Sequence, residues 1–485
     1  MKNFQKAGLL TACILVFSLI IPVMPNTLAA NYTIGDGDQY IESKEELLAF
    51  LAGDKINRNP STSNMYLTTD IDLEGASITP LRINEGTLDG QNHTISNYVI
   101  KTDVANKTTN STYVGLIRFN RGTIKNLKIK DAVVEGNYVV GALVGANNGA
   151  DGKPAVIENV TAENVTITGH TDVGGLIGNN VATSDKATSS IINCSVTGNI
   201  MVKGYSTCGS LIGFNRATLK NSFVTCNAVG FQVNATMESG AFAGENEGEI
   251  YNCHTNANVC TSKVESGGFI GDNDGKIFNC SSTGQSKGKK DVGGFAGANT
   301  GTIKGCKSSG PAISNASGKA YVGGFVGLND KGKIEKCSST GNVTATGDTV
   351  GGFVGMNIQN TINTNCTVGT KSKKVIVKGG TDVGGFVGSH SGTRGLVKIE
   401  NCKAYAEVTG KKNTGGFVGK NFGKNGFINK CHSYSKVKGK TNTGAFVGYN
   451  ASGGRINSSK KNSSKVVGKK TKFAGKNRGK MKKCK

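Results

Sequence analysis

The chain has 485 residues, with 70 glycines, 6 prolines and no tryptophan, and a formal net charge of +24. Collagen is excluded, because a collagen chain needs glycine at every third position and abundant proline. Val, Ile, Thr and Phe alternate with Gly, Asn and Ser along most of the chain, which predicts many short strands joined by tight turns. The excess of positive charge favours an anionic partner.

Residues 1–30 predict a secretory signal peptide. Lys2 and Lys6 precede an apolar run from Ala7 to Ile21, and Leu28-Ala29-Ala30 offers a small-residue cleavage site. An uncleaved membrane anchor is the alternative, but the run is shorter than the ~20 residues of a membrane span. A lipoprotein site at Cys13 is disfavoured because the apolar run continues past it. We therefore expect a secreted protein, extracellular or on the cell surface of a bacterium, with no transmembrane segment after cleavage.

Residues 31–112 differ from the rest of the chain. Ser43-Lys44-Glu45-Glu46 forms a capping box ahead of Leu47, Leu48, Phe50 and Leu51, which predicts a short amphipathic helix. Two alternating runs follow it. An open solenoid exposes unpaired strand edges at its ends, so we expect this region to be an N-terminal cap with the first irregular coils.

A repeat begins near residue 113, and its clearest copy is Tyr321 to Val343, YVGGFVGLNDKGKIEKCSSTGNV. Self-similarity at a period of 26 to 35 residues predicts a solenoid. Each unit offers about three short strands, the size of one coil of a parallel β-helix; a propeller, with four strands per blade, is the alternative. Its large apolar residue recurs thirteen times, at Leu116, Leu143, Leu176, Leu211, Phe242, Phe269, Phe295, Phe325, Phe353, Phe386, Phe417, Phe446 and Phe473. We assign 113–455 to regular repeats and 456–485 to a degenerate last repeat with a basic end.

The corner of the repeat poses a geometric question. Strict alternation puts Val322 and Val326 on one face and Phe325 on the other, so the chain needs either a bend at Gly323-Gly324 or an apolar outer stripe. The glycine two residues after the large apolar residue is present in twelve of thirteen copies, and Arg118 is the exception.

Asparagine occupies the position four residues after the large apolar residue in twelve of thirteen copies. Asn tolerates left-handed turns and can bond to the same residue of the next coil, so the favoured interpretation is a structural ladder. A row of amides that bind sugar hydroxyls is the alternative. The residues are Asn120, Asn147, Asn180, Asn215, Asn246, Asn273, Asn299, Asn329, Asn357, Asn421, Asn450 and Asn477, and His390 is the exception.

Nine cysteines share one position of the repeat. The other copies carry Leu127, Val160, Ser222 and Ser458 there, and a position that accepts Leu and Val predicts apolar packing of free thiols. Disulfides between coils or a metal site are less favoured alternatives, and no Cys-x-x-Cys occurs. The cysteines are Cys194, Cys253, Cys280, Cys306, Cys337, Cys366, Cys402, Cys431 and Cys484.

The joint recurrence of Val-Gly-Gly-Phe-Val-Gly-x-Asn and Ile-x-Asn-Cys from Tyr113 to Cys484 resembles the GLUG-motif repeat family of bacterial secreted and surface proteins. The resemblance implies an all-β, right-handed parallel β-helix and an extracellular, often adhesin-like setting, with no established ligand. Some members attach the repeats to an IgA-cleaving zinc peptidase. That activity requires His-Glu-x-x-His, which the five histidines here do not form, so it is not carried over.

Carboxylates offer the best candidates for chemistry, because β-helices also host polysaccharide lyases and glycoside hydrolases. Asp70, Asp72 and Asp89 form the richest cluster, but they lie in the cap and suit turns and strand ends. Asp272-Asn273-Asp274-Gly275 imitates the start of a calcium loop, yet its twelfth position is Thr283 rather than Glu. We therefore expect no enzyme, no cofactor and no metal.

Positive charge is concentrated at one end. Residues 411–485 hold 21 Lys and Arg and no Asp or Glu, whereas residues 1–410 hold 36 against 33. A polybasic end attracts anionic polymers in a salt-dependent way; a lysine-rich cap over the last strand edge is the alternative. The predicted binding residues are Lys460, Lys461, Lys465, Lys469, Lys470, Lys472, Lys476, Arg478, Lys480, Lys482, Lys483 and Lys485.

The functional hypothesis is a secreted β-helical binding or adhesion module at the cell surface. Its partner would be an anionic cell-wall polymer or a host glycan, and specific nucleic-acid binding is not expected because stacking aromatics are scarce in the basic end. The longer segments Asn147–Ala155, Val181–Ser190 and His390–Lys398 are candidate contact loops. A polysaccharide lyase or glycoside hydrolase, and a spacer without a ligand, remain the alternatives.

Overall fold

The computed structural model describes residues 37–52, 62–102, 112–150, 152–182, 184, 187–227 and 230–485. The predicted signal peptide lies outside these residues. The described chain is a parallel β-solenoid of about fourteen turns with one helix, which confirms the predicted all-β solenoid with a helix at its N-terminal end. None of the described helices has the length and apolar character to cross a membrane.

The helix Lys44–Ala52 begins as the capping box predicts. Ser43 Oγ accepts the Glu46 N–H at 3.2 Å, and Glu46 Oε2 accepts the Glu42 N–H, one residue before the expected donor. Leu47, Phe50 and Leu51 are buried and the helix packs against the first coils. The strands of this region are Gln39–Ile41, Met65–Leu67, Ile71–Ser77, Leu81–Asn84, Thr87–Asp89 and Thr94–Lys101.

Fourteen strands, one from each coil, form a continuous sheet that we call the small sheet. Its first strand precedes the first predicted copy of the repeat, so regular stacking already begins before residue 113. The strands are Leu81–Asn84, Ile117–Asn120, Val144–Gly149, Ile177–Ala182, Ile212–Asn215, Ala243–Asn246, Ile270–Asn273, Ala296–Asn299, Val326–Asp330, Val354–Ile358, Val387–Ser391, Val418–Phe422, Val447–Asn450 and Ala474–Asn477.

A typical coil has five strands rather than the predicted three. After the small-sheet strand Val326–Asp330, the chain adds four strands to a second, large sheet. Two interruptions that alternation alone does not show account for the difference: Lys336 has a φ of 54° and separates two of these strands, and the glycine corner separates the last one from the next coil. The four strands are Lys333–Glu335, Ser338–Ser339, Val343–Ala345 and Asp348–Gly351.

The glycine corner bends the chain, so that no apolar outer stripe exists there. The strand Lys319–Gly323 ends one residue before the bend, and Val322, Phe325 and Val326 are all fully buried. A Cβ on Gly327 would lie 2.5 Å from the Val292 backbone N of the previous coil. The repeated glycine is therefore required because two coils approach each other there without room for a side chain.

The large apolar residues stack along the rod. Rings of neighbouring coils from Phe242 to Phe473 have centroids 4.6 to 4.9 Å apart and interplanar angles of at most 19°. The spacing equals that of adjacent strands, and each ring except that of Phe473 is fully buried. This column is the centre of the hydrophobic core.

The asparagines form the predicted structural ladder. From Asn84 to Asn329, each Nδ2 donates to the Oδ1 of the ladder asparagine in the next coil at 2.7 to 3.2 Å. His390 interrupts it: its Nε2 bonds to the Val397 carbonyl, while its Nδ1, Asn357 Nδ2 and Asn421 Oδ1 have no partner. The ladder resumes through Asn421, Asn450 and Asn477.

The cysteine side chains do more than the predicted apolar packing, because their thiols also form hydrogen bonds with the backbone. Cys280 Sγ accepts the Cys253 N–H at 3.3 Å and donates to the Phe278 carbonyl at 3.2 Å, and other coils repeat the pattern. Ser459, not Ser458, fills the position with its Oγ; the assignment of Ser458 was wrong, because that residue has a φ of 47° and forms the preceding turn. The twelve described cysteines are free thiols, and eight of the predicted column are buried.

Candidate binding surface on the C-terminal coils

The twelve predicted basic residues lie on the last coils, on strands of both sheets and on the turns between them. Eleven are exposed and Lys461 is half-buried. The strands that hold them are Lys465–Val466, Ala474–Asn477 and Lys480–Lys482. Positive charge therefore extends around the end of the rod rather than along a single face.

Register places like charges beside each other in this region. Arg455 is the register partner of Lys480, and Lys436 is that of Lys465, at a strand separation of about 4.8 Å. Like charges directly opposite each other on neighbouring strands are unfavourable unless counterions or a polyanion neutralise them. The arrangement is thus electrostatically receptive to negative charge.

Among the described residues, no ion pair joins an acidic side chain to the basic end, although Glu407 is the register partner of Lys436 on the preceding coil. Throughout the described chain, the ion pairs lie between residues 44 and 400, the last being Lys398 Nζ to Glu400 Oε2 at 2.7 Å. Two of the basic residues have other contacts: Lys469 Nζ donates to the Lys440 carbonyl at 2.7 Å, and Lys476 Nζ lies 5.4 Å from the Tyr449 ring centroid. The remaining exposed ammonium groups keep their charge available to a ligand.

The asparagine ladder does not offer a sugar-binding row. Eleven of the twelve ladder side chains from Asn120 to Asn477 are buried, and Asn477 is exposed. Their amides bond to each other except beside His390. The alternative in which these amides bind sugar hydroxyls is therefore wrong, and the structural interpretation is confirmed.

The cap carboxylates have the turn and strand-end roles that the sequence predicts. Asp72 Oδ1 accepts the Glu74 N–H at 2.7 Å and both its oxygens accept from Asn97 Nδ2, bonds that hold the pKa of Asp72 below its usual value. Asp89 Oδ1 accepts the Gln91 N–H at 3.0 Å. Asp70 Oδ1 accepts the Thr94 N–H at 2.9 Å. These bonds order the first coils.

A shallow surface groove near the N-terminal coils was missed by the sequence analysis. It has a volume of about 260 Å³, and Lys128 Nζ is 2.5 Å from Glu163 Oε2 beside it. It follows the turns before the cysteine position, which sequence alone does not show to be concave. Its lining residues are Asn92, Asn126, Leu127, Lys128, Asn159, Thr161 and Glu163.

The predicted contact loops all follow the small sheet at the same corner of the coil. Asn147–Ala155 and Val181–Ser190 include residues 151, 183, 185 and 186, which lie outside the described residues. His390–Lys398 is fully described and exposes Leu396, 45% of whose surface is accessible. Their role in binding stays a prediction.

Comparisons with known proteins place the repeat in context. A family profile described as "The GLUG motif" matches residues 169–201 and 318–344, the second of which overlaps the copy at Tyr321 to Val343. A stretch of 101 residues is 40% identical to Halomucin from Haloquadratum walsbyi. That match covers 20% of this chain and 1% of Halomucin.

Among solved structures, similarity is found to a crystal structure described as a "putative immunoglobulin A1 protease from Bacteroides ovatus". The TM-score is 0.36 at 16% identity, over 63% of this chain and 76% of the other. The resemblance that the sequence predicted is confirmed by the two profile matches: this chain is a β-solenoid that carries GLUG-motif repeats.

Proposed function

We propose that the protein is a surface-associated binding module whose basic C-terminal end binds an anionic polymer. The observation that carries the proposal is the exposure of eleven of the twelve predicted basic residues on coils that contain no Asp or Glu. Secretion and location at the cell surface are part of the proposal. They are supported by the predicted signal peptide and by the GLUG repeats.

The mechanism is electrostatic. Exposed ammonium groups at the end of a rigid rod produce a positive potential that concentrates polyanions and releases their counterions on contact. Because the basic groups surround the rod, a flexible chain of phosphate or sulfate groups can contact several of them at once. The interaction weakens as salt rises, since the Debye length falls from about 10 Å at 0.1 M to about 3 Å at 1 M.

The stacked interior has a separate part in this proposal. A rod held by in-register strands presents its end without needing to fold on contact, so binding costs little conformational entropy beyond that of the lysine side chains. The remaining coils then place any further contact surface at a distance from the anchored end. This division suits attachment or adhesion and requires no chemistry from the basic residues.

The test is retention of the full chain on purified bacterial cell walls across a salt gradient. We would replace six exposed lysines of the basic end with Gln: Lys469, Lys470, Lys472, Lys480, Lys482 and Lys483. The matched control carries the same replacement at six exposed lysines elsewhere: Lys289, Lys307, Lys319, Lys371, Lys373 and Lys374. Both variants lose the same formal charge and keep the buried columns.

We expect the unmodified chain and the control to bind at low salt and elute as salt rises, and the end variant to elute at markedly lower salt. Equal losses in both variants would mean that net charge alone matters and would contradict a site at the basic end. Unchanged binding in both would place the ligand site elsewhere on the rod. Absence of binding by all three chains would refute wall attachment, and a sulfated glycan surface would be the next ligand to test.

A further inference from the structure

Two outward-facing positions beside the glycine corner carry carboxylates in successive coils. One position lies four residues before the large apolar residue and holds Glu238, Glu265 and Asp291; the other lies three residues after it and holds Glu245 and Asp272. Glu245 and Asp272 are direct register partners. We call these five residues the acidic columns.

The two positions approach each other across the corner. A Cβ on Gly271 would lie 2.9 Å from the Glu238 carbonyl carbon of the previous coil, so the strand that carries Asp272 passes directly over the backbone of Glu238. In the same way, Gly297 lies against the backbone of Glu265. The carboxylates therefore form one group across three coils rather than two separate rows.

Several oxygens in this group lack hydrogen bonds. The Asp291 side chain is only 2% exposed, and its Oδ1 has no partner. Glu265 Oε2 and Asp272 Oδ1 are likewise buried and unpartnered. Asp291 faces the group, since its charge helps to raise the pKa of both Glu265 and Asp272.

The residues around the acidic columns supply little positive charge to balance the carboxylates. Burial, reinforced by mutual repulsion, raises the pKa of Glu245 and Glu265 to about 8 and that of Asp272 to about 7. Asp274 and Glu247 add negative charge nearby. Two basic groups of the described residues reach the acidic columns. Lys290 Nζ lies 3.8 Å from Asp291 Oδ2, and Arg216, which pairs with Glu247 Oε2 at 2.6 Å, also interacts with the charge of Glu245.

In another coil, a carboxylate at the same position receives a hydrogen bond from the protein itself. Asp382 lies four residues before Phe386 and accepts the Asn413 Nδ2–H at 2.7 Å, with the charge of Lys420 nearby. The position therefore tolerates an acidic residue when donors are supplied. The acidic columns differ because in-register carboxylates such as Glu245 and Asp272 face one another, and because Glu265 Oε2 and Asp272 Oδ1 receive no hydrogen bond.

We propose that the acidic columns bind divalent cations of the calcium type between carboxylates of successive coils. Across the described ranges, no three Asp, Glu, His or Cys side chains are arranged to hold one metal ion. Each ion is therefore bridged by two carboxylates, Glu245 with Asp272 or Glu265 with Asp291, and water and backbone oxygens complete its shell. Calcium suits such a site because it accepts six to eight oxygen ligands in flexible geometry.

The test is calorimetric titration of the full chain with CaCl₂ at pH 7, in two buffers of different ionisation heat, together with thermal unfolding. We expect a dissociation constant on the order of 10⁻⁴ to 10⁻³ M, as in extracellular modules, with protons released on binding. Calcium should raise the melting temperature more at pH 8 than at pH 6. The double variant Glu245→Gln, Asp272→Asn should lose most of this response.

The matched control is Asp382→Asn, which removes a carboxylate from the same position outside the acidic columns and should leave the calcium response unchanged. The double variant should remain folded, since it relieves repulsion. Equal stabilisation by NaCl at matched ionic strength would overturn the proposal in favour of simple screening. Loss of the response in the Asp382→Asn chain, or its persistence in the double variant, would also overturn it.

Discussion

The coils that carry the acidic columns and the coils of the basic end share one interior and have opposite exteriors. Phe269 and Phe446 both lie in the same stack of rings, and Asn273 and Asn450 both belong to the ladder. Outside, the first group presents unpartnered carboxylates and the second exposed lysines. The inward columns are therefore common to both regions, while the outward positions change in charge from one region to the other without changing the fold.

The largest effect should follow from breaking the shared interior at its centre. Phe325→Ala removes a fully buried ring that lies 4.8 Å from the Phe295 ring and 4.7 Å from the Phe353 ring. We expect a loss of about 3–5 kcal/mol in the free energy of unfolding, measured by chemical denaturation with circular dichroism. The exposed Lys307→Ala serves as the control and should change stability little. A loss below about 1 kcal/mol for Phe325→Ala would refute the role assigned to the stack.

Breaking the asparagine ladder should lower the free energy of unfolding almost as much. Asn299→Ala leaves Asn273 Nδ2 without its acceptor in the next coil and Asn329 Oδ1 without a donor, which should cost roughly 2–4 kcal/mol. Asn363→Val is the matched control, because the Asn363 amide is buried and has no partner, and its register neighbours are Ile334 and Ile399. Chemical denaturation should show no loss in the free energy of unfolding for Asn363→Val. Equal losses for both variants would contradict a hydrogen-bonded ladder.

Sequence made the interior columns predictable because each one repeats at a fixed distance from a large apolar residue. The number of strands in each coil was not predictable, because alternation of residue types does not reveal the left-handed backbone conformation of Lys336, which separates two strands. The acidic columns are not evident from short motifs such as Asp272 to Gly275, because their carboxylates are about thirty residues apart and meet only when successive coils stack. His390 was recognised as an exception, but the unpartnered atoms around it require coordinates.

Restoring the ladder between the two regions should stabilise the protein. His390→Asn allows Asn357 Nδ2 to donate to residue 390 and residue 390 to donate to Asn421 Oδ1, both atoms being unpartnered at present. It gives up the bond to the Val397 carbonyl. We expect a net gain of about 1–2 kcal/mol, visible as a higher denaturation midpoint. Destabilisation would show that the imidazole fills space that an amide cannot.

Changes of pH should act on the two kinds of buried group with opposite sign. Burial lowers the pKa of His390 from 6.5 to about 4, so stability present above pH 6.5 is lost as pH falls through 4. The pKa of Glu245 is raised from 4.5 to about 8, so its contribution is present below pH 4.5 and lost as pH rises through 8. Melting curves from pH 4 to 8 should show His390→Asn removing the acid-side loss and Glu245→Gln reducing the alkaline-side loss. An unchanged profile in either variant would contradict the corresponding assignment.

The most direct test of the proposed function is to locate a bound polyanion on the unmodified protein. Lysine acylation of the full chain, with and without purified anionic cell-wall polymer, would be quantified residue by residue by mass spectrometry. We expect protection concentrated at Lys460 to Lys485, with little change at exposed lysines such as Lys289 and Lys371. Uniform protection along the rod, or protection that spares Lys460 to Lys485, would contradict the claim that the basic end is the binding surface.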